Sequence, residues 1–485
     1  MKIQKLKPFN IRPLCLWAAI VAFSLWASSF SIYLGIAAIA FSILLMYFLR
    51  CSRLFFVTAI TLCLVTLFSF TIYNTIYQNT KTYAGTHELS GVVESYNLRT
   101  DGASYMTLSD AKFGENNLSG RVIVFVKKYK GQSHQIETGR RVSFNTQLVT
   151  QEAEQMNVNA RVKYSASVPF VDISVGEKTY TLKHIVWRYS KNMFEETMHY
   201  DNAQLIQSML FGDKSTLEGE ISASFRVGGL IHALAVSGMN VALIVGMLVF
   251  IFKLCHLRKK YQFPIIALVL AFYCYLCDWQ FPIMRATIMF LVILFNRSYL
   301  HKADLLSCLC FAVILTLIIW PHALWSWSFQ LSYMCMFGIA LFYPAFEKLK
   351  IPAIVNMYLC ATLGTFPLLV SMFGMFPTYG LIVNIVLLPI LSVGFQISMF
   401  AICTWVGKIL LYPLDPFIGF VIWGCKLVLR APLATIYLTN GGIFTLFFYA
   451  GLILCTRFIN IKKPIRIAAI ISCFTLYSIG FLVYL

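Results

Sequence analysis

Charge is what this sequence has least of: Asp, Glu, Lys and Arg together make up 12% of its 485 residues, and the acidic ones number 20. A soluble globular chain carries about 25% charged residues, so a water-soluble fold is excluded for most of the length. Cysteine is absent between Lys81 and His184, the one long polar stretch, although the chain holds 14 cysteines elsewhere. That absence excludes a disulfide-stapled outer domain. Also missing are a G-x-x-x-x-G-K-[ST] loop and any H-x-H or H-E-x-x-H pair, so neither ATP hydrolysis nor zinc-dependent hydrolysis has its usual residues. On these grounds we expect no enzyme activity and no cofactor.

What is present is apolar sequence. Residues of that class make up 59% of the chain, and runs of about 20, long enough to cross a hydrocarbon core of about 30 Å as helices, recur throughout. The fold class expected is a polytopic α-helical membrane protein of about 11–13 membrane segments. The net charge of +19 follows from Lys and Arg gathered in cytoplasmic loops, and it permits a polyanionic partner without requiring one. Cys274 and Cys277 form a C-x-x-C in an aromatic apolar run and read as packing cysteines.

Residues 1–77 hold three expected spans, Leu14 to Phe30, Ser31 to Leu49 and Leu54 to Tyr77. The first imitates a signal peptide, with Lys2, Lys5, Lys7 and Arg12 before it, but no cleavage site leads into polar sequence, so a retained span is expected. Basic residues before the first span and after the second (Arg50, Arg53) put the N-terminus in the cytoplasm and residues 78–183 outside it. That polar stretch changes period. Glu88 to Tyr96, Ser104 to Leu108, Gly120 to Val126, Arg140 to Leu148 and Val158 to Ala166 read as strands separated by turn residues. They predict a small extracytoplasmic β-barrel, with the OB-fold one candidate. Residues 184–202 read as an amphipathic interfacial helix, and 203–485 as a second membrane block. Its spans are expected near 229–254, 263–279, 282–296, 304–320, 326–345, 352–373, 379–400, 401–414, 440–457 and 466–484.

The segment from Phe225 to Ala242 enters an apolar run yet contains Gly229, His232, Ser237, Gly238 and Asn240. On one continuous helix, at about 100° per residue, Gly229, His232, Ser237 and Asn240 share a face roughly 140° wide. Polar groups in hydrocarbon need partners or water, so this face turns inward, toward a wet cavity or toward helices it packs on. Arg285 heads another run as an anchor snorkelling to headgroups or as a cation facing an anion in a cavity. Gln330 and Ser332 enter the membrane behind Trp325 and Trp327. Around Asn384, the residues Pro377, Gly380 and Pro389 read as kinked helices or as a broken helix lining a pathway. In the outer domain, Lys127, Lys128, Lys130, Arg140 and Arg141 are candidates for holding phosphates. Tyr96 and Tyr105 are candidates for stacking bases. The same lysines also fit a solvated hairpin.

Taken together, Phe225…Gly229-Leu-Ile-His232…Ser237-Gly238-Met-Asn240, Pro282…Arg285-Ala286, Phe329-Gln330-Leu-Ser332 and Pro377…Gly380…Asn384…Pro389 resemble the competence domain of the ComEC family. Leu210-Phe-Gly212-Asp213-Lys214-Ser215 matches the pattern before its first helix. The resemblance implies a channel in the bacterial cytoplasmic membrane passing single-stranded DNA inward, lined by His232, Ser237, Gly238, Asn240, Arg285, Gln330, Ser332 and Asn384. It implies partners too: single-stranded DNA, the lipid bilayer, a DNA receptor outside, a separate nuclease, and cytoplasmic single-strand-binding or motor proteins. Family members more often carry His where Asn240 stands, and many carry a C-terminal metallo-β-lactamase-like domain, which is not expected here. The alternatives are a small-solute secondary transporter, with mid-membrane polar residues on broken helices, and an intramembrane hydrolase using His232 and Ser237.

Overall fold

The computed structural model describes residues 13–29, 32–48, 53–78, 83, 85–98, 103–118, 120–127, 139–150, 162–169, 173–178, 181–212, 217, 219–234, 236, 238–277, 279–296, 305–347, 351–404, 407–438, 448–452, 472–473 and 475. Helices dominate. Four are long and apolar enough to cross a membrane: Val57–Thr75, Ala353–Phe373, Gly380–Ile402 and the segment Gly407–Leu429. Among the described residues six more apolar helices are shorter, at 10–17 residues. The spans expected near 440–457 and 466–484 lie mostly outside the described residues.

The chain divides into two compact units, one of Met1–Ser69, Ile288–Ile385 and Pro432–Leu485, the other of Phe70–Thr287 and Val386–Ala431. The helices are α1 (Pro13–Ser28), α2 (Ile32–Phe48), α3 (Arg53–Gln78), α4 (Leu182–Thr197), α5 (Tyr200–Phe211), α6 (Gly219–Val227), α7 (Ile231–Leu234) and α8 (Gly238–Leu254). They continue as α9 (Lys259–Leu276), α10 (Phe281–Phe295), α11 (Leu305–Ile319), α12 (Trp327–Phe346), α13 (Ala353–Phe373), α14 (Gly380–Ile402), α15 (Gly407–Leu411) and α16 (Asp415–Leu429). α1, α2 and α3 coincide with the three expected N-terminal spans, because each is an uninterrupted apolar run. No span was expected over 415–429; α16 stands there, burying Ile418, Val421, Ile422 and Cys425.

In the first unit, α1 packs on α2 and on α11, and α12 packs on α13. The α12–α13 crossing is made by two glycines. A Cβ at Gly364 would lie 2.2 Å from the Met334 carbonyl oxygen, and one at Gly338 would lie 2.3 Å from that of Cys360. Backbones meet there with no room for a side chain, the close approach that small residues permit between membrane helices.

In the second unit an eight-stranded sheet runs in the order β6-β7-β4-β2-β1-β5-β8, with β3 paired to β2. The strands are β1 (Thr86–Leu98), β2 (Ala103–Phe113), β3 (Asn116–Asn117), β4 (Arg121–Lys127), β5 (Arg140–Gln147), β6 (Val149–Thr150), β7 (Val162–Pro169) and β8 (Ser174–Lys178). Alternation decides what faces in: Val122, Val124 and Val126 are buried, while Phe125 between them is 53% exposed. These valines join Leu89, Met106, Leu108, Phe113, Phe144 and Tyr164 in one core. The sheet curls so far that Thr146 Oγ1 on β5 donates to the Ser167 carbonyl on β7 at 3.1 Å. Among the described residues the ladder is not closed: the expected strands are present, but the pairing path ends at β6 and β8.

Candidate functional site

The segment read as one helix from 229 to 254 is broken. α6 ends where Gly229 takes a positive φ of 75°. The Gly229 N–H donates to the Arg226 carbonyl at 3.1 Å and the Leu230 N–H to that of Phe225 at 2.8 Å. This pair of bonds is a Schellman stop, which needs glycine at its left-handed position. One turn follows, α7, before Gly238 opens α8. The shared 140° face therefore does not form across this stretch: His232 is exposed, Asn240 is fully buried, and Ser237 lies outside the described residues.

Asn240 serves the end of α5. That helix is more enclosed than its sequence announces, since every residue from Asn202 to Phe211 is buried, Asn202, Gln204, Gln207 and Ser208 included. Its last carbonyls have no partner within the helix, and neighbours supply them. Asn240 Nδ2 donates to the Met209 oxygen at 2.7 Å. Tyr273 Oη and Cys277 Sγ donate to the Leu210 oxygen at 3.0 and 3.5 Å. Gly212 closes the helix at φ 80°, its N–H donating to the Ser208 carbonyl at 2.8 Å. A Cβ at Gly212 would stand 2.8 Å from Gln280 Nε2 and 2.9 Å from Val236 Cγ2. The convergence of Gly212, Asn240, Tyr273 and Cys277 on one helix end was not legible in the sequence, where Tyr273 and Cys277 look like ordinary apolar filling.

Arg285 lies on α10 and is 2% exposed, the largest fully enclosed side chain among the described residues. It does not snorkel to a surface, so of its two readings the anchor falls. Arg cannot be deprotonated in proteins, and an ion removed from water costs several kcal/mol before any compensation. Gly238, at the head of α8, sits against the neighbouring Ala286: a Cβ there would be 3.5 Å from that of Ala286. The second unit thus brings the start of α8 beside the Arg285–Ala286 turn of α10.

Gln330, Ser332 and Asn384 belong to the first unit. Gln330 Nε2 donates to the Leu324 carbonyl at 3.0 Å, tying α12 to the 3-10 turn Pro321–Trp325 before it. Asn384 Nδ2 donates to the Gly380 carbonyl in the first turn of its own helix at 2.7 Å. Ser332 is half-buried. In the sheet, Arg140 is half-buried, Arg141 is exposed, and Tyr105 is half-buried opposite the exposed Phe125. Tyr96 pairs in register with Met106, so the two tyrosines stand at positions of opposite parity in the pleat. The side chains of Tyr96 and Lys127, and all of Lys128 and Lys130, lie outside the described residues.

One further cluster joins distant segments of the second unit. Asp415 Oδ1 accepts from the His199 N–H at 3.0 Å and from Asn202 Nδ2 at 2.7 Å, and Asp415 Oδ2 lies 2.5 Å from His199 Nδ1. Lys408 with Glu196 and Lys426 with Glu220 add ion pairs at 2.5 and 3.3 Å between the same parts of the chain. The Asp415 hydrogen bond, helped by its charge, raises the His199 pKa above the ordinary value. A raised folded-state pKa stabilises fully at pH below the unfolded His value of about 6.5 and is lost as pH climbs through the raised one. Wild type should therefore melt above His199→Gln at pH 5.5, with the gap narrowing as the pH is raised. A constant gap from pH 5.5 to 9 would show that the imidazolium contributes nothing.

The family model described as "Competence protein" matches residues 209–463, more than half of the chain. ComE operon protein 3 of Bacillus subtilis (strain 168) is 25% identical over 191 residues, 39% of this chain and 25% of that protein. An uncharacterized protein of Aquifex aeolicus (strain VF5) is 30% identical over 188 residues, 38% of this chain and 43% of that one. The chain therefore covers less than half the length of either relative. No solved structure matches. The family match takes in the end of α5, the broken segment and Arg285.

Proposed function

This chain belongs to the Competence protein family, and from that premise we propose that it is a conduit carrying single-stranded DNA across the bacterial cytoplasmic membrane during natural transformation. The observation that carries the reading is Arg285: a permanently charged side chain, 2% exposed, on an apolar helix inside the family-matched region and beside the head of α8. Ionisable groups inside membrane helices mark ion and substrate pathways by default, and a DNA strand is a polyanion. The four long apolar helices and six shorter ones fit a multi-pass membrane protein. The curled sheet serves as the OB-like outer domain in this reading, with Arg141 and the Tyr105–Phe125 pair as its contribution to strand binding. The protein acts as a conduit rather than an enzyme, working with a DNA receptor outside, a nuclease, and cytoplasmic single-strand-binding or motor proteins.

Deleting the gene in a competent strain should leave labelled DNA reaching a protected outer compartment and stop it from entering the cytoplasm. Unchanged transformation in the deletion strain sinks the proposal. The break between α6 and α8 favours a second reading, a small-solute transporter, since such proteins bind at discontinuous helices. Solute flux into liposomes holding the purified protein, with transformation intact in the deletion strain, would put that reading first.

A further inference from the structure

Cys15 lies in the first turn of α1 and Cys310 in the second turn of α11, separated by 295 residues of sequence, yet their sulfurs stand 3.3 Å apart. Cys310 is 1% exposed, whereas Cys15 is half-buried. The contact is not a chance touch of two surfaces, because α1 and α11 pack along each other within one unit. Other thiols of the same unit are engaged differently: Cys308 accepts from Asn296 Nδ2 at 3.2 Å, and Cys360 donates to Asn356 Oδ1 at 3.2 Å. A disulfide needs sulfurs about 2.05 Å apart, so a movement of about 1.2 Å separates the dithiol from the bond.

We infer that Cys15 and Cys310 are a redox modification site whose reactant is a low-molecular-weight disulfide. Cys15, the accessible partner, attacks one sulfur of the reagent as thiolate and expels the other half as a thiol, leaving a mixed disulfide. Cys310 then attacks the Cys15 sulfur, the Cys15–Cys310 bond forms, and the second half leaves. Two protein thiols are oxidised while one small disulfide is reduced to two thiols. In a reducing compartment the pair stays open. Once closed, it pins α1, outside the family-matched residues, to α11, within them.

The test treats membranes containing the whole protein with oxidised glutathione, raising the dose until the exposed Cys255 is modified. Free thiols are then alkylated, and the digest is read by mass spectrometry. The expected result is a linked peptide joining Cys15 to Cys310, abolished by dithiothreitol and absent from Cys15→Ser and Cys310→Ser. The oxidised wild type should also melt at a higher temperature than its reduced form, a shift absent from Cys15→Ser. The inference is overturned if Cys255 is modified while Cys310 is recovered wholly as alkylated thiol, whether Cys15 is then free or held as a stable mixed disulfide.

Discussion

Gly364→Ala is expected to cost about 3 kcal/mol, the upper end of ordinary overpacking, and to lower the thermal midpoint of the detergent-solubilised protein. The new Cβ would lie 2.2 Å from the Met334 carbonyl oxygen, and Gly338 Cα would be 3.1 Å away. Both are backbone atoms, so no rotamer change relieves the collision, and α12 and α13 must move apart along their contact. Gly338→Ala meets the mirror situation, with the Cys360 oxygen at 2.3 Å and Gly364 Cα at 3.0 Å. Ala is otherwise the better helix former by about 1 kcal/mol, which sets the sign of the control. Gly246 on α8 has nothing within 4 Å of a built Cβ, so Gly246→Ala should leave the midpoint unchanged or raise it slightly. If Gly364→Ala melts with the wild type, the helices do not cross at these glycines.

Little in the sequence announces that crossing, because Gly338 and Gly364 lie in different runs and periodicity describes one helix at a time. The limit recurs elsewhere. Three N-terminal helices and five strands are legible, since unbroken apolar length and strict alternation are properties of a single element. α5 is not, because the enclosure of Asn202, Gln204, Gln207 and Ser208 on every side is made by neighbours rather than by any property of the segment itself. Asp415 falls between two expected spans, with nothing local to say what it meets; its carboxylate receives His199 and Asn202 from over two hundred residues earlier. The break after α6 was within reach, for Gly228-Gly229 is the composition of a helix stop, but the apolar residues on both sides favoured continuity. At the candidate site, the residues were legible one by one as unusual polar groups in hydrocarbon. Which carbonyl Asn240 would cap, and whether Arg285 would reach a surface, depend on neighbours that only the fold supplies.

Arg285→Ala should lower cytoplasmic entry of labelled DNA about a hundredfold, equivalent to about 2.7 kcal/mol at 1.36 kcal/mol per decade, while DNA still accumulates in the protected outer compartment. The size of the effect follows from burial. A guanidinium that is 2% exposed acts on a passing phosphate with far less solvent screening than a surface charge does. Arg285→Lys separates charge from geometry. A lysine keeps a cation but lacks the planar five-donor fork, so this variant should fall between wild type and alanine. The melting temperature distinguishes a working cation from a structural one. A functional Arg285 predicts that uptake is lost in Arg285→Ala while its midpoint and membrane level stay near those of wild type. A structural Arg285 predicts that midpoint and membrane level fall together with uptake, and wild-type uptake in Arg285→Ala would remove it from any DNA path. Only the first pattern is the one expected of a charge held inside a membrane protein for a polyanion to meet.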